Sequence, residues 1–237
     1  MNVRNLLFIL FAVLVIYIIY VTFFSSSTEK TIVNYHDAKK IKNVAVSKLP
    51  KSFKNDFTYS IWFYVNNWNY RYGQPKVMFE RKDESGAPCP SVVLDPTTNN
   101  IEINLAVYPN KKTAKSNIHK CSLLNVPIQK WCNLIISLEN RALDVYLDGK
   151  LVKTCILPGV AKVSNTSDIK VTPNGGFSGN LSKFKYITHS VTPSEAYDIY
   201  KEGFGSYGLG SLGNLFSKYR IKVAFVEDSA EVNSFEI

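Results

Sequence analysis

Residues 131–157 read WCNLIISLENRALDVYLDGKLVKTCIL. Asn133 to Glu139 is a mostly apolar run, and Asn140-Arg141 is short enough to be a tight turn. Ala142 to Asp148 then alternates apolar and polar residues, the period-two pattern of a strand with one face in a core. Asp148-Gly149 matches a type I′ hairpin turn, whose two central residues both need positive φ. Lys150 to Leu157 returns. The stretch predicts an antiparallel three-strand meander with Val145 and Leu147 facing the core.

The same pattern extends outward. Phe57, Tyr59, Ile61, Phe63 and Val65 alternate with Thr58, Ser60, Trp62 and Tyr64, which again predicts a half-buried strand. Lys76 to Glu80, Ser91 to Leu94 and Ile101 to Tyr108 read as further strands. Asp95-Pro96-Thr97-Thr98-Asn99-Asn100 carries turn chemistry between two of them. Phe177 to His189 supplies one or two strands, and Tyr219 to Val226 a last strand before a polar tail. The soluble part has one good helix start, Thr192-Pro193-Ser194-Glu195. Thr192 fits the N-cap, Pro193 the first helical position and Glu195 the partner of a capping box. Gly203 fits the C-terminal stop. One short helix in a run of strands predicts a β-sandwich.

At the other end of the chain, Leu6 to Phe24 has 19 residues without charge, Gly or Pro. At a helical rise of about 1.5 Å per residue it reaches roughly 28 Å, enough to cross the bilayer hydrocarbon. A cleaved signal peptide is the rival reading, but signal cores run about 7–15 residues. The expected layout is a short tail at 1–5, a transmembrane helix at 6–24 and a Lys-rich stalk at 25–44 with β-like stretches such as Thr31-Ile32-Val33. A sandwich follows at 45–205, then a Gly-rich linker, final strand and tail at 206–237. Lys30, Lys39, Lys40 and Lys42 outweigh Arg4, so the charge rule places the C-terminal domain on the cytosolic side. The four cysteines point toward an oxidising compartment instead. The net charge of +9 fits an acidic partner such as a lipid headgroup, an anionic glycan or an acidic protein surface, or serves solubility alone.

Two patches are candidates for binding. Trp68, Tyr70, Arg71 and Tyr72 sit with Asn66, Asn67 and Asn69 in one polar aromatic loop. Such a loop suits stacking on sugar rings or anchoring a protein, unless Trp68 folds back over the core edge. Lys111, Lys112, Lys115 and Lys120, with His119, form the second patch or a solvated loop. His36, His119 and His189 lack paired-ligand spacing, and no cofactor is expected. Calcium is the one cation considered, through Asp95 with Asn99 and Asn100, which equally make an ordinary Asx-rich turn.

The meander places Cys132 and Cys155 at opposite ends of its sheet, over ~20 Å apart, which excludes their pairing. Two pairings remain, Cys89–Cys132 with Cys121–Cys155 or Cys89–Cys155 with Cys121–Cys132, beside four free thiols. Sequons at Asn165 and Asn180 matter only on a lumenal side.

Trp131, Ile135-Ile136 and Leu143 to Val152 resemble the central motif of laminin G-like domains, in the concanavalin A-like lectin/glucanase superfamily. The strand at Phe57 to Val65 resembles their opening strand, and Phe177 to Gly203 their closing segment. The resemblance spans roughly 45–205 and implies an all-β, two-sheet antiparallel jelly-roll sandwich used for glycan or protein binding. The glucanase branch carries Glu-x-Asp-x-x-Glu on one strand. No such pattern occurs here: Glu80-Arg81-Lys82-Asp83-Glu84 has the wrong spacing, and Asp144 with Asp148 lacks a Glu. A retaining glycosidase needs its carboxyls about 5–5.5 Å apart, so a non-enzymatic binding or assembly protein is expected. Anchor plus domain is also similar in layout to virion membrane and minor capsid proteins of large DNA viruses. That layout implies a minor structural component linking an internal virion membrane to a capsid. A cell-surface or secreted glycan-binding lectin is the alternative, and a glycosidase the second. The expected partners are a membrane and a protein or anionic surface, then glycan, and not nucleic acid.

Overall fold

The computed structural model describes residues 28–52, 54–108, 117–205, 222–227 and 230–236, with Val13 and Ile16. Its strands are β1 (Glu29–Asp37), β2 (Lys42–Val44), β3 (Phe57–Asn67), β4 (Lys76–Lys82), β5 (Pro88–Leu94), β6 (Ile101–Val107) and β7 (Asn117–Leu123). They continue as β8 (Trp131–Glu139), β9 (Ala142–Leu147), β10 (Lys150–Ile156), β11 (Ile169–Val171), β12 (Ser178–Ile187), β13 (Lys222–Glu227) and β14 (Ala230–Glu236). A helix, α1, spans Pro193–Lys201, and Val13 and Ile16 are also helical.

Two six-stranded antiparallel sheets form the sandwich, ordered β1-β12-β3-β8-β9-β10 and β2-β11-β4-β5-β6-β7. The core lies between them. Phe57, Tyr59, Ile61, Phe63 and Val65 point in from β3, and Ile101, Ile103, Leu105 and Val107 from β6. The expected meander is β8-β9-β10. Val145 is fully buried in the core and Leu147 packs against it. Asp148 and Gly149 have φ of 50° and 74°, the backbone of a type I′ turn. A disulfide, Cys121–Cys155, ties edge strand β7 of one sheet to edge strand β10 of the other. Cys89 and Cys132 are free and buried. The exclusion of Cys132–Cys155 therefore holds, and one bridge of the first pairing forms without its companion. Burial pushes both free thiols up to about 11, where they are poor nucleophiles.

Outside the first sheet, α1 covers Ile135, Tyr146, Ile187 and Val191. The capping box is as expected: the Thr192 hydroxyl accepts from the Glu195 N–H, and the Glu195 carboxylate accepts from the Thr192 N–H. The segment after α1 lays Phe204 against Trp131, with ring centroids 4.8 Å apart and 8° between planes. Tyr200 stacks on Trp62 at 5.5 Å.

Several expectations need correction. The stalk expected at 25–44 instead contributes β1 and β2, which pair with β12 and β11. Only Val33 of β1 is buried, because an edge strand shows the core one sparse face. The polar tail carries β14, paired with β13 in a separate hairpin. The anchor expected at Leu6–Phe24 lies outside the described residues save for Val13 and Ile16. Among the described residues no helix is long and apolar enough to cross a membrane. The short tail at 1–5 and the linker from 206 to 221 also lie outside them.

Candidate functional site

The β3–β4 loop, where the aromatic patch was expected, caps one end of the sandwich. Trp68 is half-buried and packs against the core, so the ring does fold back over the core edge. The Lys76 ammonium sits 5.3 Å from the ring centroid and donates to the Pro96 carbonyl at 3.2 Å. Lys76 is 1% exposed, and burial pulls its ammonium below the ordinary lysine range. The Trp68 indole N–H is buried without an acceptor, which costs about 1–3 kcal/mol.

What remains open around Trp68 is amide-rich. Asn66, Asn67, Asn69, Ile128 and Gln129 surround it in a shallow depression of about 510 Å3. Two polar bonds shape its floor. The Asn67 side-chain oxygen accepts from the Asn69 N–H at 2.8 Å, and the Gln129 N–H reaches the Val65 carbonyl at 2.8 Å. Gln129 itself takes a φ of 56°. The β7–β8 loop that carries it gave no sequence signal, because an isolated Gln carries no motif.

Tyr70 and Arg71 are fasteners for this loop. The Tyr70 hydroxyl donates to the Gly175 carbonyl at 3.2 Å, and Arg71 Nη1 to the Gly176 carbonyl at 3.4 Å. Arg71 Nε donates to the Gln74 side chain at 3.2 Å. Gly176 accepts no side chain: with a φ of 44°, a Cβ there would lie 2.0 Å from the Ala38 carbonyl oxygen. The turn that anchors the aromatic loop is thereby pressed against the β1–β2 connection. Tyr72 is 61% exposed and free to meet a partner.

Of the lysines of the second patch, Lys120 alone falls among the described residues. Lys120 lies on β7 of the other sheet and pairs with Glu102 at 3.2 Å across the β6–β7 ladder. Lys111, Lys112 and Lys115 lie outside the described residues.

The calcium candidate is occupied by its own turn. Asp95 accepts from the N–H groups of Thr97 and Thr98 at 2.9 and 2.8 Å. These bonds hold its carboxyl at about 2, well below the usual range. Asn100 accepts from the Asn125 N–H, and Asn99 donates to the Val126 carbonyl. Among the described residues no group of three or more His, Cys, Asp or Glu could hold a metal. Three of the carboxylates weighed for hydrolysis are also engaged. Glu80 pairs with Lys82 at 2.8 Å, Asp144 accepts from Thr154 and Asp148 accepts from the Asn133 N–H.

The family model described as the concanavalin A-like lectin/glucanases superfamily, Laminin_G_3, matches residues 39–196. The chain belongs to this superfamily. Solved structures of like fold include the receptor binding domain of botulinum neurotoxin D. It shares 12% identity at a TM-score of 0.52, over 68% of this chain and 40% of that chain. The botulinum neurotoxin serotype D binding domain matches at 11% identity and a TM-score of 0.51, over 62% of this chain and 36% of that chain. At such identities the likeness is one of fold. A 78-residue stretch is 35% identical to the BEACH domain-containing protein lvsD of Dictyostelium discoideum, covering 28% of this chain and 3% of that protein. The chain thus spans about two fifths of the solved chains and a small part of the curated relative. The superfamily gives this chain a lectin-like binding sandwich.

Proposed function

We propose that this chain is a membrane-anchored, non-catalytic recognition module that binds glycan at the rim around Trp68. The observation that carries the reading is the ring of exposed carboxamides, Asn66, Asn67, Asn69 and Gln129, around that indole. A carboxamide both donates and accepts, as a sugar hydroxyl does. Although Trp68 folds back over the core edge, it still lines the depression, and the part of its ring left open there offers the apolar surface that a pyranose C–H face needs. The engaged carboxylates support a binding role over hydrolysis.

A second reading is assembly. Tyr72, 61% exposed, and Trp68 would anchor a protein partner, with Lys111, Lys112 and Lys115 steering its approach. Such a module would serve as a minor structural component of a large DNA virus particle, linking its membrane to the capsid from the cytosolic side. The Cys121–Cys155 bridge favours an oxidising side and hence the glycan reading. Glycosylation at the exposed Asn165 would mark that side.

The test is a glycan array probed with the full chain in detergent micelles, repeated with Trp68→Ala. Glycan binding that the substitution abolishes is the expected result. An array with no binding, or release of sugar from any polysaccharide, would remove the reading. The anchor is tested separately by carbonate extraction of membranes. A soluble chain with a mature N-terminus near Ser27 would show a cleaved signal peptide.

A further inference from the structure

The outer face of the β1-β12-β3-β8 sheet carries a second feature around the corner from Trp68. Strand register sets Asp37, Asn180, Tyr64 and Trp131 side by side in one row across four strands. With neighbouring strands about 4.8 Å apart, the row is about 14 Å long. The next row inward, Ser182, Trp62 and Asn133, lies beneath Tyr200, which stacks on Trp62 at 5.5 Å, and Phe204, whose ring is tilted against it at 5.8 Å. Phe204 also lies on Trp131, but the rest of the first row is open: Asp37, Asn180 and Tyr64 line a depression of about 470 Å3 with Lys39 and Asn66. Asn66 also lines the Trp68 depression, so the two adjoin at that residue.

The chemistry of the row is specific. Tyr64 offers a half-buried ring, steadied by Trp131 at 5.7 Å, and Trp131 is itself steadied by Phe204 at 4.8 Å. Asn180 and Asn66 have no side-chain hydrogen bond among the described residues, so both amides are unspent. Asp37 adds an acceptor, its side chain 44% exposed. Asp37 accepts from the Lys39 N–H at 3.1 Å and faces the Lys40 ammonium at 3.8 Å, so the charges around the depression are balanced and an anion gains no net attraction there. A peptide strand would need unpaired backbone groups, and on the face of a sheet these are already paired. A neutral polyol meets every demand: it donates to Asp37, exchanges bonds with both amides and lays its C–H face on Tyr64.

We infer that the row Asp37–Asn180–Tyr64 is a second glycan subsite, adjoining the Trp68 rim at Asn66. The module therefore binds the interior of an oligosaccharide chain rather than a single terminal sugar. This rests on the glycan reading above.

The experiment is a length series. Cello-, chito- and manno-oligosaccharides of two to six units are titrated into the full chain in micelles, wild type against Tyr64→Ala and Asn180→Ala. Thermal unfolding of each variant confirms that it is folded. Wild-type affinity should rise with length. Each substitution should weaken the hexasaccharide by about five- to tenfold, the value of one aromatic or amide contact. The disaccharide, held at Trp68, should change less than about twofold. Hexasaccharide affinity unmoved by both folded variants would overturn the second subsite and leave the Trp68 rim standing. Equal losses for short and long sugars would overturn it too. Wild type that binds no sugar, or binds only a protein partner, would remove the glycan reading and this subsite together.

Discussion

Gly149→Ala should destabilise the domain by about 1–4 kcal/mol, through two separable effects. The first is backbone. Gly149 has a φ of 74°, where a Cβ costs about 1–2 kcal/mol. The second is a collision. A Cβ at Gly149 would lie 2.9 Å from the Tyr200 Cβ and 3.1 Å from the Tyr197 ring. The tip of the β9–β10 hairpin is thus pressed against α1, and α1 must give. Overpacking of that kind costs about 1–3 kcal/mol. Against both stands about 0.4–1 kcal/mol gained by stiffening the unfolded chain. Gly149→Val should cost more, because a branched residue tolerates positive φ least. Gly149→Asn separates the effects: Asn enters the left-handed region readily, so its loss reports the collision alone. Urea unfolding followed by tryptophan fluorescence measures all three, at constant slope. Trp62 stacks on Tyr200, so a displaced helix should also shift native emission. An alanine variant within about 0.5 kcal/mol of wild type would refute both the turn type and the packing of α1 on it.

Three further outcomes are expected. Replacing Cys121 and Cys155 with Ser should cost about 2–4 kcal/mol, since the bridge closes a loop of separation 34; an unchanged urea midpoint would contradict it. Cys89 and Cys132, buried and held at about 11, should resist iodoacetamide at pH 8 until urea is added, and rapid native labelling of either would contradict that. The Asp95 carboxyl is held at about 2 by the Thr98 and Thr97 N–H groups, below its unfolded value of about 3.9. Its contribution is therefore complete above about pH 4 and lost as pH falls toward 2. Asp95→Asn keeps the turn without the titration, so it should flatten that part of the acid unfolding curve; an identical acid limb would show that the bonds are not made.

The parts of the fold that were legible in the sequence are those fixed by neighbours in the chain. The β8-β9-β10 meander shows alternation interrupted by two-residue turns, and α1 announces itself through Thr192, Pro193 and Glu195. Strands β2, β7 and β11 were missed, and β1 showed only as a β-like stretch at Thr31-Ile32-Val33 within a stalk. All four are short or lie at an edge, and β1, β2 and β11 owe their burial to partners far away in sequence: β1 pairs with β12, and β11 bridges β2 and β4. A strand such as Glu29–Asp37, with a single buried Val33, has no period to read. Lys120 shows the same limit for charge. Its pairing with Glu102 follows from β6–β7 register, and that register depends on a strand the sequence did not reveal.

The binding face follows this logic one step further. Trp68 could be picked out because a large aromatic in a polar loop is locally anomalous. The residues that make its surroundings useful are ordinary where they stand. Asn66 ends a strand, Gln129 sits in an unremarked loop, and Asp37 lies in what read as a stalk. Asn180 reads as a chance sequon. Register alone assembles Asp37, Asn180 and Tyr64 into a row, and Asn66, at the end of β3, stands between that row and Trp68. A surface built this way has its specificity in the alignment of strands rather than in any motif. Register slips on β12, such as the break between Ser182 and Lys185, thus become part of the recognition problem. A one-residue slip there would turn Asn180 into the core and Leu181 outward, and would erase the row without altering a single contacting residue.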